Sequence, residues 1–198
     1  TLSILHGQEI ERTNRTNRRV LMADNYTLLY HEILDKVHKA KSKEQKVSIL
    51  RQYNTEGFRK IIKSSFDPKI EWDIPEGSVP YRGNEAPEGT DHTRLATEAI
   101  KLWHFIKGAD RNLSTTKREL KFVQMLEGLC QGEAEVLVTA KDKRLHQRYK
   151  GLSHAVVKEA FDWDDEYMMI DASSPTVTRD KQGNRIAADD SYPQMPGS

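Results

Sequence analysis

Between Leu113 and Phe161 the chain reads LSTTKRELKFVQMLEGLCQGEAEVLVTAKDKRLHQRYKGLSHAVVKEAF, three short apolar-periodic segments with helix start and stop signals between them. Helices this short are marginal alone in water and persist by burying an apolar face against neighbours. The stretch therefore predicts a packed helical body. Ser114 or Thr115 caps its first helix, whose inward residues are expected to be Leu120, Val123, Met125, Leu126 and Leu129, with Gly128 and Gly132 marking its fraying end. Cys130 then falls near a helix C-terminus. Glu133–Lys141 forms a second helix with Ala134, Leu137 and Ala140 inward. Ser153 caps a third, and Leu152 and Val157 hold the N′ and N4 positions of a hydrophobic staple.

The N-terminal half carries the same grammar. Tyr26, Leu29, Tyr30, Ile33, Leu34 and Val37 lie on one stripe of a 3.6-residue period, predicting a helix over about 24–39 capped by Asp24 or Asn25. Ser42 with Gln45 reads as a capping box for a second helix burying Val47, Leu50 and Tyr53. A third covers about 56–65, with Phe58, Ile61 and Ile62 inward, and Asp67-Pro68 ends it. In KIEWDIP, Ile70, Trp72 and Ile74 alternate with polar residues as a strand would. Residues 75–90 read as a loop because of Pro75, Gly77, Pro80, Gly83, Pro87 and Gly89. A fourth helix is expected from the Asp91 cap to Gly108, burying Leu95, Ala99, Leu102, Trp103 and Ile106. The expected fold class is mainly α, a single multi-helix domain of about six to seven helices with at most one short strand or hairpin near 70–74. Residues 1–22 are expected to be a non-native or disordered extension, 23–162 the helical domain, and 163–198 an acidic–aromatic segment and disordered tail.

Charge and cysteine content narrow the function classes. Formal net charge is +1, so bulk charge points to neither nucleic acid nor membrane. Residues 101–160 hold 12 Lys/Arg against 7 Asp/Glu, whereas 71–100 hold 2 against 7. A single cysteine allows neither an internal disulfide nor a CxxC site, and fits a reducing compartment. No apolar run approaches the ~20 residues that span a bilayer, so a membrane role is not expected.

No motif for catalysis, metal or cofactor emerges. The expected catalytic, metal and cofactor sets are all empty. His31 and His38 lie two turns apart on one helix, too far to share an ion, and HExxH is absent. Asp91-His92 and His104 are the residues an enzyme would use for acid–base work. SVPYRGNEAPEG lacks the glycine spacing of a phosphate loop, though Tyr81 and Arg82 could grip a partner. Two segments suit contacts. Lys141, Lys143, Arg144, Arg148, Tyr149 and Lys150 form a basic stretch with an interleaved aromatic, suited to phosphates and bases; the bland reading is a solvated connector. Phe161, Trp163, Asp164, Asp165, Tyr167 and Met168 form an acidic–aromatic run. It either docks in a basic groove of a partner or packs back onto the domain.

From Trp103 to Phe161, in LWHFIKGADRNLSTTKRELKFVQMLEGL, GEAEVLVTAKDKRL and YKGLSHAVVKEAF, the chain resembles an uncharacterised family of small proteins in tailed phages of the T4-like type, including marine cyanophages. The resemblance implies a phage origin, the host cytoplasm as location and virion association as a further option; it carries no activity and no catalytic residue. The expected function is that of a non-enzymatic accessory protein acting by protein–protein contact. The alternative is a nucleic-acid-associated factor of phage replication or transcription using residues 141–150.

Overall fold

In the computed structural model, residues 27–84, 86 and 92–170 are described. The expected caps at Asp24, Asn25 and Asp91, the Tyr26 contact, and the segments 1–22 and 171–198 lie outside them. The described residues form eight α-helices and one 3-10 segment with no strand, a mainly α fold. The helices are α1 (Tyr30–Lys39), α2 (Lys43–Gln52), α3 (Glu56–Phe66), α4 (Leu95–Glu98), α5 (Thr115–Gly128), α6 (Gln131–Lys141), α7 (Leu145–Arg148) and α8 (His154–Phe161). The 3-10 segment, Ala99–Phe105, follows α4 directly.

Local chemistry sets the helix starts. Ser42 accepts from the Gln45 N–H at 3.2 Å and the Gln45 side chain accepts from the Ser42 N–H at 3.4 Å, the reciprocal cap expected for α2. Thr55 and Ser153 cap α3 and α8 through the amides of Phe58 and Val156. Leu152 and Val157 are both buried, as a staple requires. Helix α1 begins later than expected, at Tyr30, where Glu32 turns back to accept from the Leu29 N–H at 2.7 Å. Helix α3 lies at the centre, touching α4, the 3-10 segment, α6 and α8. Its Phe58 ring sits 5.0 Å from Tyr30 and 6.2 Å from Phe161, joining the first and last helices across the core.

The segment 91–108 departs from expectation for a geometric reason. A 3-10 helix has three residues per turn. Ala99, Leu102 and Phe105, spaced by three, are therefore buried, and Ile100, Trp103 and Ile106 form a second row beside them. Trp103 is 48% exposed and is not a core residue, a correction of its expected place. The stripe of α5 is also corrected. Arg118, Phe122, Met125, Leu126 and Leu129 are inward, and Leu120 is 56% exposed. Gly132 is inside α6 rather than at a fraying end; the His31 ring lies 2.6 Å from where a Cβ would stand. Cys130 is buried at the N-cap position of α6, not at the tail of a helix that continues from α5.

The KIEWDIP segment makes an isolated antiparallel bridge, Trp72 to Ile106, instead of a strand. Asp73 N–H donates to Phe105 O at 2.7 Å and Lys107 N–H to Glu71 O at 2.9 Å. Trp72 Nε1 donates to Ser64 O, and its ring packs on Phe122.

These placements separate two substitutions that the sequence alone ranks together. Leu126→Ala is expected to cost about 2–5 kcal/mol because the side chain is fully buried, whereas Trp103→Ala should cost under about 1 kcal/mol. Thermal melting of the two variants checks this; equal large losses would contradict the 3-10 register.

Candidate functional site: an apolar groove walled by lysines

The outward row of the 3-10 segment builds the site. Ile70, Ile100, Leu102, Trp103 and Ile106 line a groove of about 220 Å³ against the Lys60–Ser64 turn of α3. Lys60 and Lys63 are its only charged residues. The same two lysines wall a second depression of about 370 Å³, where Arg59, Met168 and Met169 join them beside Trp163 and Tyr167. Ile100 is 67% exposed, and Met168, Met169 and Ile170 are exposed as well. Scattered exposed apolar residues are ordinary, but a contiguous apolar surface rimmed by charge marks a contact site. Lys60 pairs with Glu56 at 2.7 Å, one turn away, and Lys63 lies 4.0 Å from Asp67 and 3.9 Å from Met168 Sδ. The Lys60–Glu56 pair is exposed and weak enough to exchange for a partner's carboxylate, whereas Asp67 is buried.

The acidic–aromatic run takes the second of its two expected readings, and its assignment as a set of partner anchors is corrected. Phe161, Trp163 and Tyr167 are buried core. Asp162 adopts a left-handed conformation that turns the chain back, and Trp163 lies 4.8 Å from the Phe161 ring. Tyr167 OH bonds His154 Nδ1, and burial pushes its pKa up to about 12. Burial, with Lys158 and His146 nearby, lowers that of His154. The acids are used internally. Asp164 Oδ1 accepts from the amides of Glu166 and Met168, Asp165 pairs with Lys158, and Glu166 pairs with Lys69. Of the six candidates, Met168 alone faces the groove as an exposed apolar side chain. Besides Glu56, the depression presents apolar and basic groups, unlike an acidic docking peptide. The packed body also extends past 162, to Tyr167.

The basic stretch does not form one face either. Lys141 is buried, donating to Pro75 O at 2.7 Å and Gly77 O at 3.3 Å and pairing with Asp142. Lys143 donates to Asp67 O, and burial lowers its pKa. Arg148 pairs with Glu135. Tyr149 is buried, which raises its pKa and removes its ring from stacking on a base. Arg144, Arg148 and Lys150 remain exposed. Lys141 at the end of α6, Leu145 at the start of α7 and Tyr149 just after it are all buried, so the lysine and tyrosine are anchors of the fold.

The histidines do not converge on a metal; among the described residues no group of three His, Cys, Asp or Glu could hold one. His38 Nδ1 accepts from the Lys150 N–H, and His92 approaches Asn84 O at 3.4 Å. His104 is bonded to Asp110 at the mouth of a separate cleft. No helix among the described residues is long and apolar enough to cross a membrane.

The triplets 99/102/105 and 100/103/106 that build the groove are overlaid in the sequence by the α-helical stripe 99/102/103/106, which gives no sign of the 3-10 turn. In comparisons with known proteins, the model of a family of unknown function, DUF6433, matches residues 33–147. No curated protein and no solved structure matches the chain.

Proposed function

Because the chain belongs to DUF6433, a family of unknown function, we propose from its own surface that it is a non-enzymatic accessory protein acting by protein–protein contact through the lysine-walled groove. The observation that carries this reading is the apolar row Ile100–Trp103–Ile106 beside Lys60 and Lys63, with Met168 and Met169 exposed next to the same two lysines. Its partner is a protein segment with apolar anchors and acidic flanks, since lysines beside an apolar floor favour that chemistry. The phage origin, of T4-like type, belongs to this proposal and rests on the sequence resemblance over Trp103–Phe161, with the host cytoplasm or the virion as its setting. The nucleic-acid alternative has less to stand on, because Lys141, Lys143 and Tyr149 are engaged within the fold.

Hydrogen exchange of the full chain, with and without an acid-flanked, leucine-bearing helical peptide, tests the reading. Slower exchange at 60–64, 100–106 and 168–170 is expected. Protection at 141–150 instead, or no change anywhere, would contradict it.

A further inference from the structure

On the other side of Trp103 lies a cleft of about 440 Å³, within the usual size range of small-molecule sites. Phe105 and Met125 give it an apolar floor, and His104, Lys121, Gln124 and Thr93 bring polar groups to its wall. His104 is unusually well fixed. Its Nδ1 lies 2.6 Å from Asp110 Oδ2, and its ring stacks on Trp103 with centroids 3.8 Å apart. The buried Arg118 guanidinium holds the backbone around it, donating to His104 O at 2.9 Å, Asp110 O at 2.7 Å and Leu113 O at 3.0 Å. Arg118 also pairs with Asp73 at 2.5 Å, so its charge is compensated. The bond from His104, followed by the Asn112 amide and the charge of Arg118, keeps the Asp110 carboxyl below its usual range. Asp110 thus stays an acceptor for Nδ1–H, and Nε2 is the ring atom left to meet a ligand.

The charge balance of the wall selects the ligand. Glu98 is its one carboxylate, and Lys101 Nζ neutralises it, 2.9 Å from both oxygens. Among the described residues no carboxylate pairs with Lys121. We propose that this cleft binds a small molecule carrying an oxyanion, a carboxylate or a phosphate ester, on an apolar body. The oxyanion sits between Lys121 and the Nε2 edge of the His104 ring, and the body lies on Phe105 and Met125.

Calorimetric titration of the full chain with phenyl phosphate and, separately, with benzoate tests this. At least one probe should bind saturably below about 10 mM, and Lys121→Gln and His104→Gln should each weaken it about tenfold. Lys121 is exposed, so its variant should keep the wild-type melting temperature, which is checked in parallel. Trp103 emission should change on binding because its ring lies against His104. Preference for phenyl phosphate identifies a phosphate ester, and preference for benzoate a carboxylate. Absence of heat with both probes would overturn the proposal. So would binding that Lys121→Gln leaves unchanged.

Discussion

Trp163→Ala should lower the melting temperature by on the order of 10 °C, and truncation after Asp162 should lower it further or prevent folding. Trp163 and Tyr167 are 4% and 3% exposed, the burial of core residues. Removing a buried Trp costs about 3–5 kcal/mol, and the truncation removes Tyr167 as well, against a total stability of about 5–15 kcal/mol. The packing that holds this segment reaches far along the chain. Trp163 packs on Phe161 and Tyr167, Tyr167 bonds His154, and His154 packs edge-on against Phe66 of α3 at 5.0 Å. Circular dichroism melting of the two variants measures the effect. An unchanged transition would mean that the eight described residues after Asp162 are an appendage.

Glu133→Ala should be comparably damaging for a different reason. The Glu133 side chain is buried, and its two oxygens accept from the backbone amides of Tyr30 at 3.2 Å and Leu95 at 2.8 Å. Those amides open α1 and α4, where no intrahelical acceptor exists. Alanine leaves two buried donors unsatisfied at about 1–3 kcal/mol each. Glu133→Gln should cost less, since one oxygen remains to accept. The same residue makes stability depend on pH. Burial raises the Glu133 pKa above the ordinary 4.5, an effect only partly offset by the two amide bonds and by His31 and Arg94. The folded chain therefore holds that proton more tightly than the unfolded one. The resulting stability is fully present below 4.5 and is lost as pH rises through the folded value. Wild type should lose stability over that interval relative to Glu133→Gln, which does not titrate there. Melting of both proteins from about pH 4 upward measures the difference; parallel curves would contradict the burial of the carboxyl.

The helical fold was legible where signals are local. Ser42 with Gln45, and Ser153 flanked by Leu152 and Val157, mark helix starts through atoms a few residues apart, and the structure places them so. The site was not legible, because tertiary contacts decide it. In isolation Trp103 fits an α-helical stripe with Ala99 and Leu102, and the switch to a three-residue turn depends on Phe105 packing against Phe122 of α5 at 5.1 Å. Aromatics interleaved with acids after Phe161 have no period, and Tyr167 is held by His154, which in turn packs on Phe66 of α3. Lys141 reads as a surface cation until the Pro75 and Gly77 carbonyls that surround its ammonium are in place. Once these side chains are turned inward, the apolar row on the 3-10 segment and the methionines beyond it are what the surface offers a partner.

Fluorescence anisotropy of an acid-flanked, leucine-bearing peptide titrated with wild type, Ile100→Asp and Leu120→Asp tests that claim most directly. Both side chains are exposed and apolar, but Ile100 alone lines the groove. Saturable binding lost in Ile100→Asp and kept in Leu120→Asp is the predicted result. Equal binding by all three proteins, or none by wild type, would contradict the groove as a contact surface.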